Sequence, residues 1–335
     1  MIIYKDRLLP FIEFFNPENG TLIRTNLLDK EGNETGTVPQ YRYLPELIDI
    51  GIMGHCSNNI TCKHFGIECY QGDAHRPNLP FEKYIEIIDQ VKGFTFQVAL
   101  GGKGDPNKHE RFLDILKYTK ENGIIPNLTT SGYGITEKEI NIIIEYCGSV
   151  AISFYSKLNS DNTESNPVTI EIINSFKNKI PTNIHYVIGN NTIDDAIKRL
   201  QYDLFPKGIN GIIFLLYKPV GSAINNRNCI IPREKMKKFL DLVFKTKHSY
   251  KIGFDTCFSN HLFAYDNELL HNNSIQTCES GRFSCYVSCD YKMFSCSFRQ
   301  DDSEGIQLTN NNFLESWNSL IKQNHSVCPY SIVRH

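Results

Sequence analysis

Cys56, Cys62 and Cys69 fall in one stretch, Gly-His-Cys-Ser-Asn-Asn-Ile-Thr-Cys-Lys-His-Phe-Gly-Ile-Glu-Cys-Tyr. Three neighbouring thiolates can hold an iron–sulfur cluster and leave one iron open to another ligand. An apolar run leads in, Leu47-Ile48-Asp49-Ile50-Gly51-Ile52. It reads as a buried strand, and αβ folds place their chemistry at strand C-terminal ends. Free cysteine is often simply buried as a small hydrophobe. The polar, glycine-containing loop around Cys56 and Cys69 argues for ligation instead. A second apolar run, Phe94–Leu100, ends in Gly101-Gly102-Lys103-Gly104-Asp105-Pro106. Glycines there let a ligand approach the backbone, and bare N–H groups can bind a carboxylate. Later runs end in Thr129-Thr130-Ser131-Gly132, in Ser153 and in Lys218-Pro219-Val220-Gly221. Each could merely cap the next helix. Together they predict a rim of small polar residues beside the cysteines.

A rim needs a scaffold that aligns strand ends. Six short apolar runs supply one: 47–52, 94–100, 125–128, 150–154, 184–188 and 211–216. Helical patterns follow them near 80–91, 109–121, 136–146, 168–178, 193–204 and 233–246. Thr136, with Glu139 three residues on, reads as a capping box. Six βα units predict a parallel sheet covered by helices. The winding is either an open six-stranded barrel or a doubly wound sheet; pattern alone does not separate them. Ahead of this, Phe11–Phe15 and Thr21–Thr25 flank Asn16-Pro17-Glu18-Asn19-Gly20, a hairpin signal. After Tyr250 cysteines and aromatics rise. A hairpin is predicted from 282–289 and 293–298, and an amphipathic helix over 312–323. The expected division is 1–46, 47–250 and 251–335.

Composition bounds the function classes. The 335 residues are 41% hydrophobic and 21% charged, with a net charge of −2. No basic run suggests nucleic acid. No apolar run nears the roughly 20 residues of a membrane span. The N-terminus lacks a signal-peptide pattern, so a cytoplasmic protein is expected. Eleven cysteines, an odd number, then fit metal ligation better than disulfides.

At this point the chain resembles the radical S-adenosylmethionine (SAM) enzymes. The resemblance covers about residues 47–225. It implies an α/β fold, a partial (β/α)6 TIM-like barrel, with a small N-terminal hairpin and a Cys-rich C-terminal extension. It implies that Cys56, Cys62 and Cys69 ligate a [4Fe–4S] cluster whose fourth iron binds SAM. SAM is then cleaved to a 5′-deoxyadenosyl radical that abstracts a substrate hydrogen. Tyr70 takes the place of an aromatic near the adenine. The family's cysteine spacing is three residues then two; here it is five then six. Lys103 replaces the family's SAM-binding glutamate, and an ammonium cannot accept a hydrogen bond from another. Asp105 is assigned that role, beside Gly101 and Gly102. Thr130, Ser131 and Ser153 match positions near the methionyl or ribose group, and Gly189 and Val220 positions near the adenine.

The C-terminal region resembles the auxiliary-cluster extensions of that superfamily, of SPASM or twitch type. This assigns Cys257, Cys278, Cys296 and Cys328 to a second cluster. Cys285 and Cys289 share one strand face and are ligands or core residues. Cys147 and Cys229 read as structural. The resemblance implies peptide modification as the reaction, with a flavodoxin or ferredoxin as electron donor. A small metabolite or sugar is the alternative substrate. A zinc-stabilised protein without radical chemistry is the alternative class, disfavoured because no Cys-x-x-Cys pair is present. The catalytic acid or base is unassigned; Tyr155, Lys157, His185, Tyr217 and Lys218 sit at the expected mouth.

Overall fold

The structure, a computed structural model, describes residues 1–56, 59–265, 275, 277–300 and 305–323. Cys328 lies outside the described residues, as does the side chain of Cys229.

The chain opens with β1 (Ile2–Lys5), β2 (Ile12–Phe15) and β3 (Leu22–Arg24), an antiparallel three-stranded sheet. The predicted hairpin is β2–β3, and β1 adds to it. The main sheet begins with β4 (Leu47–Ile50), which leads through the short helix α1 (Asn59–His64) to α2 (Phe81–Val91). There follow β5 (Gln97–Leu100), α3 (Phe112–Glu121), β6 (Ile125–Thr130), α4 (Glu137–Tyr146), β7 (Ser149–Ser153) and α5 (Pro167–Phe176). Then come β8 (Thr182–Ile188), α6 (Ile193–Tyr202), β9 (Gly211–Leu216), α7 (Arg233–Lys245) and β10 (Lys251–Phe254). The helix α8 (Ser259–Phe263), strands β11 (Ser284–Val287), β12 (Lys292–Phe294) and β13 (Ile306–Gln307), and α9 (Phe313–Gln323) complete the described elements. Thr136 caps α4 in a full capping box with Glu139, as its spacing predicts.

The strand order is β10-β9-β8-β7-β6-β5-β4-β11-β12-β13. From β4 to β10 neighbours run parallel and in chain order. A doubly wound sheet reverses its order at a switch point; none occurs here. Side-chain alternation gives the same answer. Ile48, Val98, Leu128, Ile152, Ile184 and Ile212 are buried in one core with the helix residues Ile87, Ile115, Ile143, Ile173, Ile197 and Phe239. The alternate residues Asp49, Ala99, Asn127, Ser153, His185 and Leu215 are only partly buried, on the opposite face. Helices therefore cover a single face, and the sheet is the expected barrel type, left open between β10 and β13. Two details lie beyond the expected six strands. β10 adds a parallel strand after β9, and β11 pairs parallel with β4. The cysteine-rich segment thus stands directly beside the strand that leads into Cys56.

The face opposite the helices is polar at its base. Asn127 donates to Gln97 at 2.8 Å, Ser149 to Asn127 at 2.9 Å, and Asn210 to Asn183 at 2.8 Å. Among the described residues no helix is long and apolar enough to cross a membrane.

Candidate active site

The loop after β4 explains its own long spacing. Its extra residues form α1, which carries Cys62, and a turn that docks on two later strand ends. Asn191, after β8, donates to the Gly66 carbonyl at 2.6 Å, and Asn228 does so at 3.2 Å. Tyr217, after β9, donates to the Glu68 carbonyl at 3.2 Å. Ser222 N–H donates to the Tyr70 carbonyl at 2.9 Å. A side chain at Gly221 would collide with that same carbonyl.

The three thiols come together. Cys62 lies within electrostatic reach of Cys56, Cys69 and Asp105, and Cys69 within reach of Cys56 and Lys103. Burial pushes the Cys62 thiol up to about 11 and raises that of Cys69 too. Such thiols stay protonated until a bound cation offsets the desolvation of their anions. Among the described residues, no three His, Cys, Asp or Glu are gathered tightly enough for one metal ion. A four-iron cluster asks for one thiolate at each of three irons, on a wider perimeter. The desolvated, mutually close thiols fit that demand. Tyr155 donates to Cys62 and accepts from Ser153, so Ser153 reaches the first thiol set through a phenol.

The glycine loop after β5 closes on the same place. Gly104 has φ +72°, and a side chain there would strike the His55 carbonyl oxygen. Gly102, at φ +95°, lies against Gly51 and the Tyr286 hydroxyl. Both backbone angles favour glycine, and at Gly104 the close approach excludes a side chain as well. Lys103 is 6% exposed, and its ammonium donates to the carbonyls of Ala74 and Gln71. Lys103 thus ties the cysteine loop to the glycine loop. Asp105 turns toward β6. Its carboxylate accepts from Thr130 Oγ at 2.9 Å, Ser131 N at 2.5 Å and Ser131 Oγ at 2.7 Å. Asp105, Thr130 and Ser131 therefore form one unit beside Cys62. Gly189 and Val220 lie farther round the rim. Gly189 sits under the Asn228 carbonyl, and Val220 is buried.

A second thiol set lies beside Lys218. Cys257 feels Lys218, Asp255, Cys296 and Cys278; Cys296 feels Cys278 and Lys218. Burial pushes Cys257 up to about 12 and Cys296 up to about 11. Lys218 pairs with Asp255 and places its ammonium 4.2 Å from the Phe298 ring centre. Phe298 in turn lies 4.6 Å from Tyr70. Cys285 and Cys289 stand apart from this set. Cys285 is buried in the main core, and Cys289 packs against it beside Arg76 and Asp290. Cys147 is also core.

Tyr155, one of the residues expected at the mouth, is a direct partner of Cys62. One residue of the site was not singled out from its type. Asp49 projects from the middle of β4 onto the polar face. A carboxylate inside an apolar parallel strand was the signal, since such strands are normally apolar throughout.

No known family's sequence profile matches the chain, and no curated protein matches it. Solved structures do. Streptococcus suis SuiB bound to the precursor peptide SuiA is similar with a TM-score of 0.61 and 15% identity, over 86% of this chain and 68% of that one. SuiB bound to S-adenosylmethionine gives 0.62 and 15%, over 83% and 66%. Native anSMEcpe with bound AdoMet and the Cp18Cys peptide gives 0.56 and 16%, over 84% of each chain. The chain spans about two thirds of the length of SuiB. At these identities the likeness is one of fold: this chain has the architecture of proteins solved with SAM and peptides bound.

Proposed function

We propose that the chain is a radical SAM enzyme that modifies a peptide. The observation that carries this is the convergence of Cys56, Cys62 and Cys69 at the C-terminal end of β4, with the Gly101–Asp105 loop packed against them. Those three cysteines would hold a [4Fe–4S] cluster. Asp105, with Thr130 and Ser131, would face the amino acid end of SAM, between Gly101–Gly102 and Ser153. Tyr70, Gly189 and Val220 would border the adenosine. When bound, the cluster supplies the electron that splits SAM and so provides a 5′-deoxyadenosyl radical for hydrogen abstraction. The protein's own part is orientation. Lys103 locks the two loops together, Tyr155 steadies Cys62, and the sheet screens the reacting centre from bulk water.

Cys257, Cys278 and Cys296 would hold a second cluster, and Cys328 is proposed as its fourth ligand. The mutual closeness of the three thiols, two of them beside Lys218, supports this. A peptide substrate is favoured over a metabolite because the structures sharing this fold bind peptides. A flavodoxin or ferredoxin is proposed as reductant.

The test is anaerobic. The protein is reconstituted with iron and sulfide, reduced and given SAM, and 5′-deoxyadenosine is measured. Formation by the native chain and its loss in the Cys56→Ala, Cys62→Ala, Cys69→Ala triple variant is the expected result. Formation that survives the triple substitution rules the assignment out.

A further inference from the structure

Asp49 carries one. It lies mid-strand in β4, on the face opposite the helices, between Ala99 of β5 and Tyr286 of β11. Its carboxylate has no hydrogen bond or ion pair with any described residue, and it remains partly exposed on that face. Burial pushes it up to about 6, with no neighbouring cation to oppose the shift. Its nearest titratable neighbours, Tyr286, Cys285 and Cys296, are acids, not bases. The carboxylates described beside the two thiol sets are committed, Asp105 to Thr130 and Ser131 and Asp255 to Lys218. Asp49 is thus a carboxylate on the face opposite the helices that no cation among the described residues pairs.

An unpaired, desolvated carboxylate lowers stability. Asparagine in the same place would keep the shape without the charge. A group that the fold would be more stable without points to a ligand that completes it. We infer that Asp49 binds a cationic group of the substrate, a lysine or arginine side chain of the peptide that enters along this face. This rests on the peptide-modifying reading above and names its substrate class. The polar base beneath, Gln97, Asn127 and Ser149, can solvate the rest of such a side chain's head group.

The test reads binding at equilibrium, without turnover, so it is independent of SAM cleavage. Reconstituted protein with SAM present is titrated with three capped tripeptides, Gly-Lys-Gly, Gly-Arg-Gly and Gly-norleucine-Gly. Native protein is expected to prefer a cationic tripeptide over the norleucine one by tenfold or more. Asp49→Asn should erase that preference, leave SAM affinity as it was and raise the melting temperature. Equal binding of the three by native protein, or none, overturns the inference. So does a preference that survives in Asp49→Asn. A fall in SAM affinity would place Asp49 in the cofactor site, and a variant that fails to fold would make its carboxylate structural; either overturns the inference as well.

Discussion

A hydrogen bond to a cluster thiolate favours the reduced, more negative cluster over the oxidised one. Tyr155 donates a hydrogen bond to Cys62, one of the three thiols proposed to hold the cluster. Tyr155→Phe is therefore expected to keep the cluster and lower its reduction potential, by roughly tens of millivolts if the bond differs by about 1 kcal/mol between the two states. Redox titration followed by electron paramagnetic resonance checks this; an unchanged potential would remove Tyr155 from the site. Lys103 acts on the backbone instead. Hydrogen bonds to charged groups contribute about 1.5–3 kcal/mol, and Lys103 makes two across the loops. Lys103→Met keeps the length and loses both. Faster amide exchange over residues 69–76 and quicker loss of iron to a chelator are the expected results. The meaning of Lys103 was out of reach of the sequence, where it stood as a missing glutamate. Its partners are carbonyls of another loop, and no residue type records those. The cysteines were easier, since thiols at a strand end signal their chemistry. Separating Cys285 from Cys296 still needed coordinates, because both flank the same hairpin.

Among the elements, the βα rhythm was legible because a parallel strand covered by helices reads as a short apolar run between amphipathic stretches. β10 escaped because Lys-Ile-Gly-Phe is short and opens with an exposed lysine. The pairing of β11 with β4 escaped because partners so distant in the chain leave no local pattern. The N-terminal sheet is joined to both by buried charge. Arg24 bonds Glu13 at 2.9 Å, Glu46 at 2.6 Å and Glu279 at 2.7 Å, and Arg42 bonds Glu13 at 2.7 Å. Three carboxylates thus share two guanidiniums. Burial pushes Glu46 up to about 8, against the pull of Arg24 and with the push of Glu13 and Glu279. Between its ordinary value near 4.5 and that raised one, the native state binds more protons than the unfolded chain. Stability then falls as pH rises through that window. Denaturant midpoints at pH 5, 7 and 9 should decline less in Glu46→Gln than in the native protein. Parallel declines would show that Glu46 ionises normally in the fold.

At the scale of the whole molecule, the two thiol sets are parts of one assembly. Tyr70 follows Cys69 and touches Phe298, which lies under Lys218, itself within reach of Cys257 and Cys296. The Arg24 cluster holds Glu279, next to Cys278, and Arg282 donates to the Cys278 carbonyl at 2.6 Å. Cys147 and Cys285 sit among apolar side chains, as a small hydrophobe should. Cys257 and Cys296 instead lie within electrostatic reach of the buried Lys218 ammonium, with Cys278 near both, which supports the proposal that these sulfurs carry charge. Replacing all three with serine should lower the iron bound after reconstitution by about four per chain, one cluster's worth. The signal of the first cluster, and its change on adding SAM, should persist, because none of the three thiols belongs to the Cys56 set. An unchanged iron count would make the second set structural and leave Lys218 serving Asp255 alone. Loss of both signals would mean that the two halves cannot be assembled separately, and the link through Phe298 would then be tested by Phe298→Ala.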